Sequence, residues 1–264
     1  MLPFLIAVCL MGGGRVWAEE HLGFNYAALD RVQGRFVDDQ GRVDYGGLKA
    51  APEDLLGFVQ ALGEMSPESH PERFETRNER LAYWINAYNA LVLKGVADVY
   101  PVRSVEDIQP DFGFFKTVSF RVGGKPYTLN EIEHEVIRKQ FQDPRIHAAI
   151  NCASASCPRL AQTVFLPGIL NAQLDAAMRA FVGDRANVRL DQEQGILHLS
   201  EIFRWFASDF TDWYRRKNGV ASATTLDYLM TYLDAENRLY LEQNPTVRVE
   251  YITYDWSLND QEIP

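Results

Sequence analysis

The sequence is poor in cysteine and in positive charge, and it has no apolar run of spanning length after its first residues. Only three of its 264 residues are cysteine, and 26 Lys and Arg stand against 36 Asp and Glu, a formal net charge of −10. This acidic balance argues against nucleic acid or an anionic membrane surface as a partner. A membrane-spanning helix needs roughly 18 or more apolar residues, so we predict no stable membrane insertion. No repeat or low-complexity tract is present either.

One apolar run does occur at the N-terminus, over residues 2–11, and glycines follow it. The small or short residues Val16 and Ala18 suit cleavage by a signal peptidase at the Ala18–Glu19 bond. We therefore predict a signal peptide over residues 1–18 and a periplasmic or secreted protein. Cleavage there would leave Cys152 and Cys157 as the remaining cysteines, in a compartment where disulfides persist.

The rest of the chain, residues 19–264, has the composition of a single folded domain, with 47% apolar and 23% charged residues overall. Apolar spacing and glycine turns indicate helices mixed with short, hairpin-linked, mostly antiparallel strands, which is an α+β fold. The predicted helices are 45–65, 77–101, 130–141, 168–182, 201–216 and 224–241, and the predicted hairpins and strands are 115–130, 145–151, 187–200 and 246–258.

The helix predicted over 130–141 carries a polar face. Glu131, His134 and Arg138 are three or four residues apart and share that face, and Glu133 lies beside it. A carboxylate near a histidine can raise the basicity of the imidazole, as a general base requires. The alternative is a solvated face with an incidental ion pair. A zinc-protease signature fails because Arg138 stands where the second histidine would be.

The cysteines lie in INCASASC, residues 150–157, at the end of the predicted strand 145–151. Pro158 suits the first position of a helix, which would place Cys157 at an N-cap where the helix dipole favours a thiolate. A nucleophilic cysteine also needs a histidine within hydrogen-bond reach. The candidates are His134, His147 and His198, and Asn86 or Asn89 could orient the histidine or donate to an oxyanion.

Three interpretations of the cysteine pair remain open. The first is a structural disulfide in an exported protein. The second is a catalytic or redox-active thiol in a loop near histidines. The third is a zinc site of His147, Cys152, Cys157 and a fourth ligand, but four-residue spacers are unusual for structural zinc. We therefore predict neither a metal nor a cofactor.

Four stretches together resemble one protein family, namely YWINAYNALVLKGV, YTLNEIEHEVIR, DPRIHAAINCASASCPRL and LSEIFRWFASDF. They are similar, in order, to the domain of unknown function 547 family, in a member of exported, bacterial type. The resemblance covers a core of about 45–210 and leaves 211–264 as a C-terminal helix and strand extension. The pattern of the family falls here on eight residues, and the resemblance implies that the polar ones among them gather at one site. The eight are Asn86, Glu133, His134, Arg138, His147, Cys152, Cys157 and Pro158.

Residues and resemblance together predict an exported protein with a cysteine–histidine site, a thiol-dependent hydrolase or acyl transferase acting on an amide or thioester. Cys152 would be the nucleophile and His134 the base, with Glu133 or Asn86 as its orienter, while Arg138 could bind a substrate carboxylate. We expect Glu133 to raise the pKa of His134.

Two other functions stay open beside this one. They are a redox protein that cycles Cys152 and Cys157, and a non-catalytic binding module stapled by their disulfide. In each case the partner would be a small molecule or a peptide. The order of histidine before cysteine suggests a papain-like arrangement only by analogy.

Overall fold

The computed structural model describes residues 23–262, so the predicted signal peptide lies outside the described residues. Helices dominate the described chain, which also contains two small sheets. In chain order the elements are α1 (Ala27–Phe36), α2 (Tyr45–Ala50), α3 (Glu53–Glu64), α4 (Arg77–Val99), α5 (Gly113–Lys116), β1 (Ser119–Val122), β2 (Lys125–Thr128), α6 (Leu129–Glu131), a π-helix (Ile132–Phe141), a 3-10 helix (Pro144–Ala148), α7 (Leu170–Gly183), β3 (Val188–Asp191), β4 (Ile196–Ser200), α8 (Ile202–Trp205), α9 (Ala207–Asn218), α10 (Thr225–Leu229), α11 (Ala235–Gln243) and β5 (Arg248–Ile252).

The long helix α4 is the centre of the larger apolar cluster, as its sequence predicts. It begins with a capping box, in which the Thr76 side chain accepts from the Glu79 N–H and the Glu79 carboxylate accepts from the Thr76 N–H. Nearly every side chain from Leu81 to Ala97 is buried. A helix that is apolar almost all round must be covered on several sides, and α2, α3 and the π-helix pack against it.

The two sheets confirm the α+β prediction and both predicted hairpins. Strands β1 and β2 are antiparallel and turn at Gly123 and Gly124, which both adopt positive φ. Strands β3 and β4 are also antiparallel, while β5 adds to β4 in the parallel direction. Parallel pairing is possible there because α8 to α11 form a long crossover between the two strands.

The strand predicted over 145–151 is wrong, since the chain forms a 3-10 helix there. Pro144 occupies its first turn, and the Asp143 carboxylate accepts from the Arg145 N–H. These two signals begin a helical turn and override the apolar alternation. The helix predicted to begin at Pro158 is also wrong, because the chain after Cys157 is irregular and offers no helix dipole to the thiol.

The helices predicted over 201–216 and 224–241 are each broken in two. The first break lies at Phe206, whose backbone leaves the helical region between α8 and α9. The second precedes Asp234, whose carboxylate accepts from the Asn237 N–H and begins α11. Both breaks follow from local capping or turn geometry that apolar spacing does not report.

A second apolar cluster lies beside the one around α4. It is built from the C-terminal half of α7, from β3 and β4, and from α8 to α11. Tyr228 and Phe210 are among its fully buried aromatic side chains. Between Gly23 and Glu262, no helix is long and apolar enough to cross a membrane.

Candidate active site

Cys152 and Cys157 are joined by a disulfide whose Cα atoms lie 6.2 Å apart. Amide side chains hold the loop that carries them. Asn89 of α4 donates to the Ala149 carbonyl oxygen and accepts from the Asn151 N–H. The Asn151 side chain in turn donates to the carbonyl oxygen of Pro158, which follows the second cysteine. The polar positions of the long helix thus fix the loop on which the sulfurs sit.

Hydroxyl groups surround the two sulfurs. The Tyr254 hydroxyl lies 3.3 Å from each Sγ and 2.9 Å from the Ser154 hydroxyl, which is itself 3.1 Å from Sγ of Cys152. The backbone N–H of Cys152 donates to Sγ of Cys157 across 3.0 Å. Burial raises the pKa of Tyr254 well above its usual range, so this hydroxyl remains a proton donor.

Glu133 lies on the π-helix and lines the same cleft as the disulfide. Tyr88 of α4 donates to Oε2 of Glu133 across 3.2 Å. Burial of the carboxyl group raises its pKa to about 7, and the hydrogen bond from Tyr88 and the charge of Arg138 only partly oppose that shift. Glu133 can therefore gain or lose a proton near neutral pH.

A four-residue network holds His134 and His147, whose side chains line the cleft. Arg138 binds Asp209 through two hydrogen bonds, of 2.7 Å from Nε and 3.0 Å from Nη2. Its Nη1 donates to Nδ1 of His134 across 2.7 Å. Nε2 of His147 lies 2.8 Å from the same Asp209 carboxylate. A single ion pair therefore holds both imidazoles.

The environment lowers the pKa of both histidines. For His134 the main cause is burial, and the positive charge of Arg138 adds to it. The expected rise in the His134 pKa is therefore wrong, because its neighbour on the helix is a cation and Glu133 bonds to Tyr88 instead. Burial likewise lowers the pKa of His147, against the opposing influence of Asp209. The contacts with Arg138 and His147 hold the pKa of Asp209 well below its usual range, despite its burial.

Aromatic side chains form most of the remaining surface of the cleft, which has a cavity volume of about 210 Å³. Trp205 is 43% exposed, which is high for so large an apolar side chain. Its ring packs against Tyr254 and Trp256, with centroid distances of 4.8 and 5.8 Å. The lining residues are Tyr88, Phe112, Phe115, Lys116, Asn130, Glu133, His134, His147, Ile150, Cys152, Cys157, Pro158, Ile202, Trp205, Phe206, Tyr254 and Trp256.

The structure brings most of the predicted site residues to this cleft. Glu133, His134, His147 and both cysteines line it. Asn86 is elsewhere, because its side chain donates to the carbonyl oxygen of Phe165 and accepts from the N–H of that residue. It therefore cannot orient the histidines, and it anchors the segment before α7.

Arg138 and the cysteines have partners that argue against one expected role, the binding of a substrate carboxylate by Arg138, and against the alternative of a zinc site. The Arg138 guanidinium is engaged by Asp209 and His134, so it is not free for a substrate carboxylate. The two sulfurs proposed as zinc ligands are bonded to each other. Residues 23–262 contain no group of three or more potential ligands that could hold a metal ion.

Four residues central to this geometry were missed in the sequence, namely Asp209, Trp205, Tyr254 and Trp256. Tyr254 and Trp256 alternate in the predicted final strand, so their common face was a usable signal. Asp209 and Trp205 stand in the LSEIFRWFASDF stretch, where the aspartate interrupts an aromatic run. Nothing in the local spacing pairs Asp209 with Arg138, 71 residues away.

A comparison with protein families matches residues 71–182 to a model described as "Protein of unknown function, DUF547". Over these residues the chain is similar to that family. The matched part contains both cysteines and both cleft histidines, while Asp209 and Tyr254 lie beyond it. No curated protein and no solved structure shows significant similarity to the chain.

Proposed function

We propose that the cleft is a thiol–disulfide exchange site in which Cys152 and Cys157 cycle between disulfide and dithiol. The disulfide at the wall of an aromatic cleft is the observation that supports this function. Both cysteines are partly accessible to solvent and have hydroxyl groups beside them, and the Glu133 carboxyl group lines the same cleft. A staple with no redox role would need none of these groups.

The reaction would be a transfer of two electrons from a substrate dithiol. A substrate thiolate attacks Sγ of Cys152, the Cys152–Cys157 bond breaks, and Cys157 leaves as a thiolate. The fixed N–H of Cys152 and the Tyr254 hydroxyl, at 3.0 and 3.3 Å from Sγ of Cys157, favour that thiolate. The second substrate thiolate then attacks the mixed disulfide, leaving substrate disulfide and reduced Cys152.

Protons must reach the two protein thiolates during this reduction. Glu133 lines the cleft, and its pKa of about 7 lets it donate a proton at neutral pH and recover it from solvent. Tyr254 keeps its proton because burial raises its pKa, so it would stabilise a thiolate by hydrogen bonding. The two groups therefore have separate roles.

The decisive measurement is the reduction potential of the pair in dithiothreitol redox buffers, with alkylation and mass spectrometry as the readout. A working pair should lie above about −300 mV and a structural disulfide below it. Cys157→Ser should trap a mixed disulfide when it meets a substrate disulfide, because the Cys152 thiolate attacks that bond, one substrate thiolate leaves and Cys157 is absent to resolve the product, whereas Cys152→Ser should trap much less. A potential below that value, with no trapping, would leave the binding module stapled by a disulfide as the function.

A second candidate, the thiol-dependent hydrolase, is favoured by the pair of His147 and Asp209. The Asp209 carboxylate binds one nitrogen of the imidazole and leaves the other free, as a cysteine–histidine–acid arrangement requires. Reduced Cys152 would then be the nucleophile, with His147 as base in place of His134. The papain-like analogy belongs to this candidate.

Amide and thioester hydrolysis by reduced Cys157→Ser protein separates the two candidates. That variant keeps Cys152 as a free thiol but cannot form the disulfide, so a hydrolase would remain active and a redox protein would not. Cys152→Ser should abolish either activity. Hydrolysis by the oxidised wild type would exclude Cys152 as the nucleophile.

Export remains part of the proposal. The N-terminal apolar run and the disulfide both suit an oxidising compartment. N-terminal sequencing of the protein after expression of the full chain tests this, and a mature start at Glu19 is expected. A start at Met1 would contradict the proposed cleavage.

A further inference from the structure

Burial lowers the pKa of both cleft histidines, so they are neutral at pH 7, and one ion pair fixes their tautomers. Arg138 has only donors, so Nδ1 of His134 must accept its hydrogen bond. In the neutral ring the proton of His134 is therefore on Nε2. Asp209 is ionised and can only accept, so His147 must carry its proton on Nε2 and donate it. Both rings thus have the same tautomer.

The same tautomer gives opposite chemistry on the free side of each ring. Nε2 of His134 and Nδ1 of His147 have no hydrogen-bond partner within residues 23–262. The free nitrogen of His134 is an N–H donor, and that of His147 is a lone-pair acceptor. Both rings line the cleft, and both lie beside Phe206, with centroid distances of 6.3 and 4.1 Å.

We propose that this donor and this acceptor together recognise a neutral carboxamide, such as a peptide group of a polypeptide substrate. The carbonyl oxygen accepts from Nε2–H of His134, and the amide N–H donates to Nδ1 of His147. This proposal rests on the proposed function, because it assumes that the substrate reacts with the disulfide in this cleft. It assigns His134 as a hydrogen-bond donor and not as the general base.

The rest of the cleft suits the same ligand. Its walls are mostly aromatic, and Trp205, Tyr254 and Trp256 form a continuous ring surface beside the disulfide. Aromatic surfaces of this kind bind apolar side chains and peptide planes. The guanidinium of Arg138 is already neutralised by Asp209. The cation that lines the cleft, Lys116, donates to the Asp111 carbonyl oxygen and lies over the Phe112 ring, and the Glu133 carboxyl group in the same lining opposes an anionic ligand when it is ionised. A neutral peptide segment with an apolar side chain therefore fits better than a small acidic thiol.

The tautomers can be measured directly in the ligand-free protein by nitrogen-15 chemical shifts of labelled histidine at pH 7. Both His134 and His147 should show a protonated Nε2 and an unprotonated Nδ1, with assignment by His134→Ala and by loss of the His147 pattern in Asp209→Asn. A protonated Nδ1 on His134, or a charged ring at pH 7, would overturn the proposal. This measurement does not depend on the sulfur chemistry.

Binding is tested with three matched compounds that contain no thiol: N-methyl-3-phenylpropanamide, methyl 3-phenylpropanoate and 3-phenylpropanoate. The first has both the carbonyl and the N–H, the ester lacks the N–H, and the third is an anion. Tryptophan fluorescence of the oxidised protein should give a Kd for the amide about fivefold lower than for the ester, since one hydrogen bond is lost. The anion should bind most weakly.

Variants separate the two hydrogen bonds. His134→Ala should weaken the amide and the ester by the same factor, because both lose the donor to their carbonyl, and the amide should keep its advantage. His198→Ala, on β4 and outside the cleft, should change neither Kd. Equal affinity of amide and ester in the wild type would overturn the proposal, yet would leave the redox potential and the trapping results unaffected.

Discussion

The hydroxyl of Tyr88 donates to Oε2 of Glu133 across 3.2 Å, between the central helix and the π-helix. Burial raises the pKa of this carboxyl group to about 7 even though the hydrogen bond opposes the shift. Between about pH 4.5 and 7, Glu133 therefore keeps a proton in the folded protein that it has released in the unfolded chain. Burial of this one carboxyl group therefore links the stability of the fold to pH.

Glu133→Gln should stabilise the protein at neutral pH but not at low pH. The raised pKa favours folding below the unfolded value of 4.5, and this contribution is lost as the pH rises towards 7. Glutamine cannot ionise, so the variant escapes the loss. We expect equal unfolding free energies below pH 4.5 and a gain of about 1–3 kcal/mol above pH 7, as the cleft admits some solvent. Urea unfolding across pH 4–8 measures both.

Glu135→Gln is the matched control, two residues further along the π-helix. Glu135 is exposed and pairs with Lys139, which lowers its pKa. Its contribution to stability is therefore present above pH 4.5 and lost as the pH falls. The difference between this variant and the wild type should thus be small and of opposite sign. If the difference in unfolding free energy from the wild type did not change with pH for either variant, Glu133 would not titrate between pH 4.5 and pH 7.

Arg138 and Asp209 should show a strong energetic coupling. Their two hydrogen bonds join side chains that are only 23% and 25% exposed, and the carboxylate also binds His147. A double-mutant cycle with Arg138→Met and Asp209→Asn should give a coupling of about 1–3 kcal/mol in urea unfolding at pH 7.

The pair of Lys139 and Glu135 provides the comparison for this cycle. These side chains are 70% and 62% exposed, and they are four residues apart on the same helix. Exposed pairs of this kind show only a small coupling, because solvent screens the two charges. A coupling of that size for Arg138 and Asp209 as well would mean that the network contributes nothing beyond a surface ion pair.

The sequence predicts elements whose determining contacts are local. The capping box of α4, the Gly123–Gly124 turn and the polar face of the π-helix all depend on residues within four positions of each other. The same locality explains the error over 145–151, where alternation over seven residues resembled a strand although Pro144 and Asp143 begin a 3-10 helix.

The site was only partly predictable because half of it is assembled over long distances in the chain. Tyr254 reaches the disulfide from about 100 residues away, and Asp209 reaches His147 from 62 residues away. The Arg138 guanidinium can bind a substrate only if no carboxylate of the protein neutralises it. The sequence does not show which carboxylate pairs with Arg138. The fold brings α9 beside the π-helix, so that Asp209 binds Arg138.

Reduction of the disulfide should leave the protein folded. The bond closes a loop of only six residues, Cys152 to Cys157, so the chain-entropy model gives it about 2 kcal/mol of stability. Amide hydrogen bonds from Asn89 and Asn151 hold the loop independently of the sulfurs. Urea unfolding with and without dithiothreitol, under argon, should show a loss near this value. Global unfolding on reduction would contradict the proposed redox cycle, which needs a folded dithiol form.

Two helix ends offer a test of backbone conformation outside the cleft. Gln142 after the π-helix and Gly219 after α9 both have positive φ, of 49° and 66°, and each N–H donates to the carbonyl oxygen four residues earlier. Only Gly219 has the residue type that this conformation favours. Gln142→Gly should therefore raise the unfolding free energy by about 0.5–1 kcal/mol, and Gly219→Ala should lower it by about 1 kcal/mol. No atom lies within 4 Å of a Cβ at 219, so the cost is conformational.

The same substitution two residues earlier should have the opposite sign. Gln140 is exposed within the π-helix, where glycine costs about 1 kcal/mol because it gives up more backbone freedom on folding. The Gln142 carbonyl oxygen, which accepts from Arg216, is unchanged in the variant, so that contact persists. The urea midpoint should thus be lowest for Gln140→Gly, intermediate for the wild type and highest for Gln142→Gly. If Gln142→Gly were as destabilising as Gln140→Gly, the chain at 142 would not have the left-handed conformation in solution.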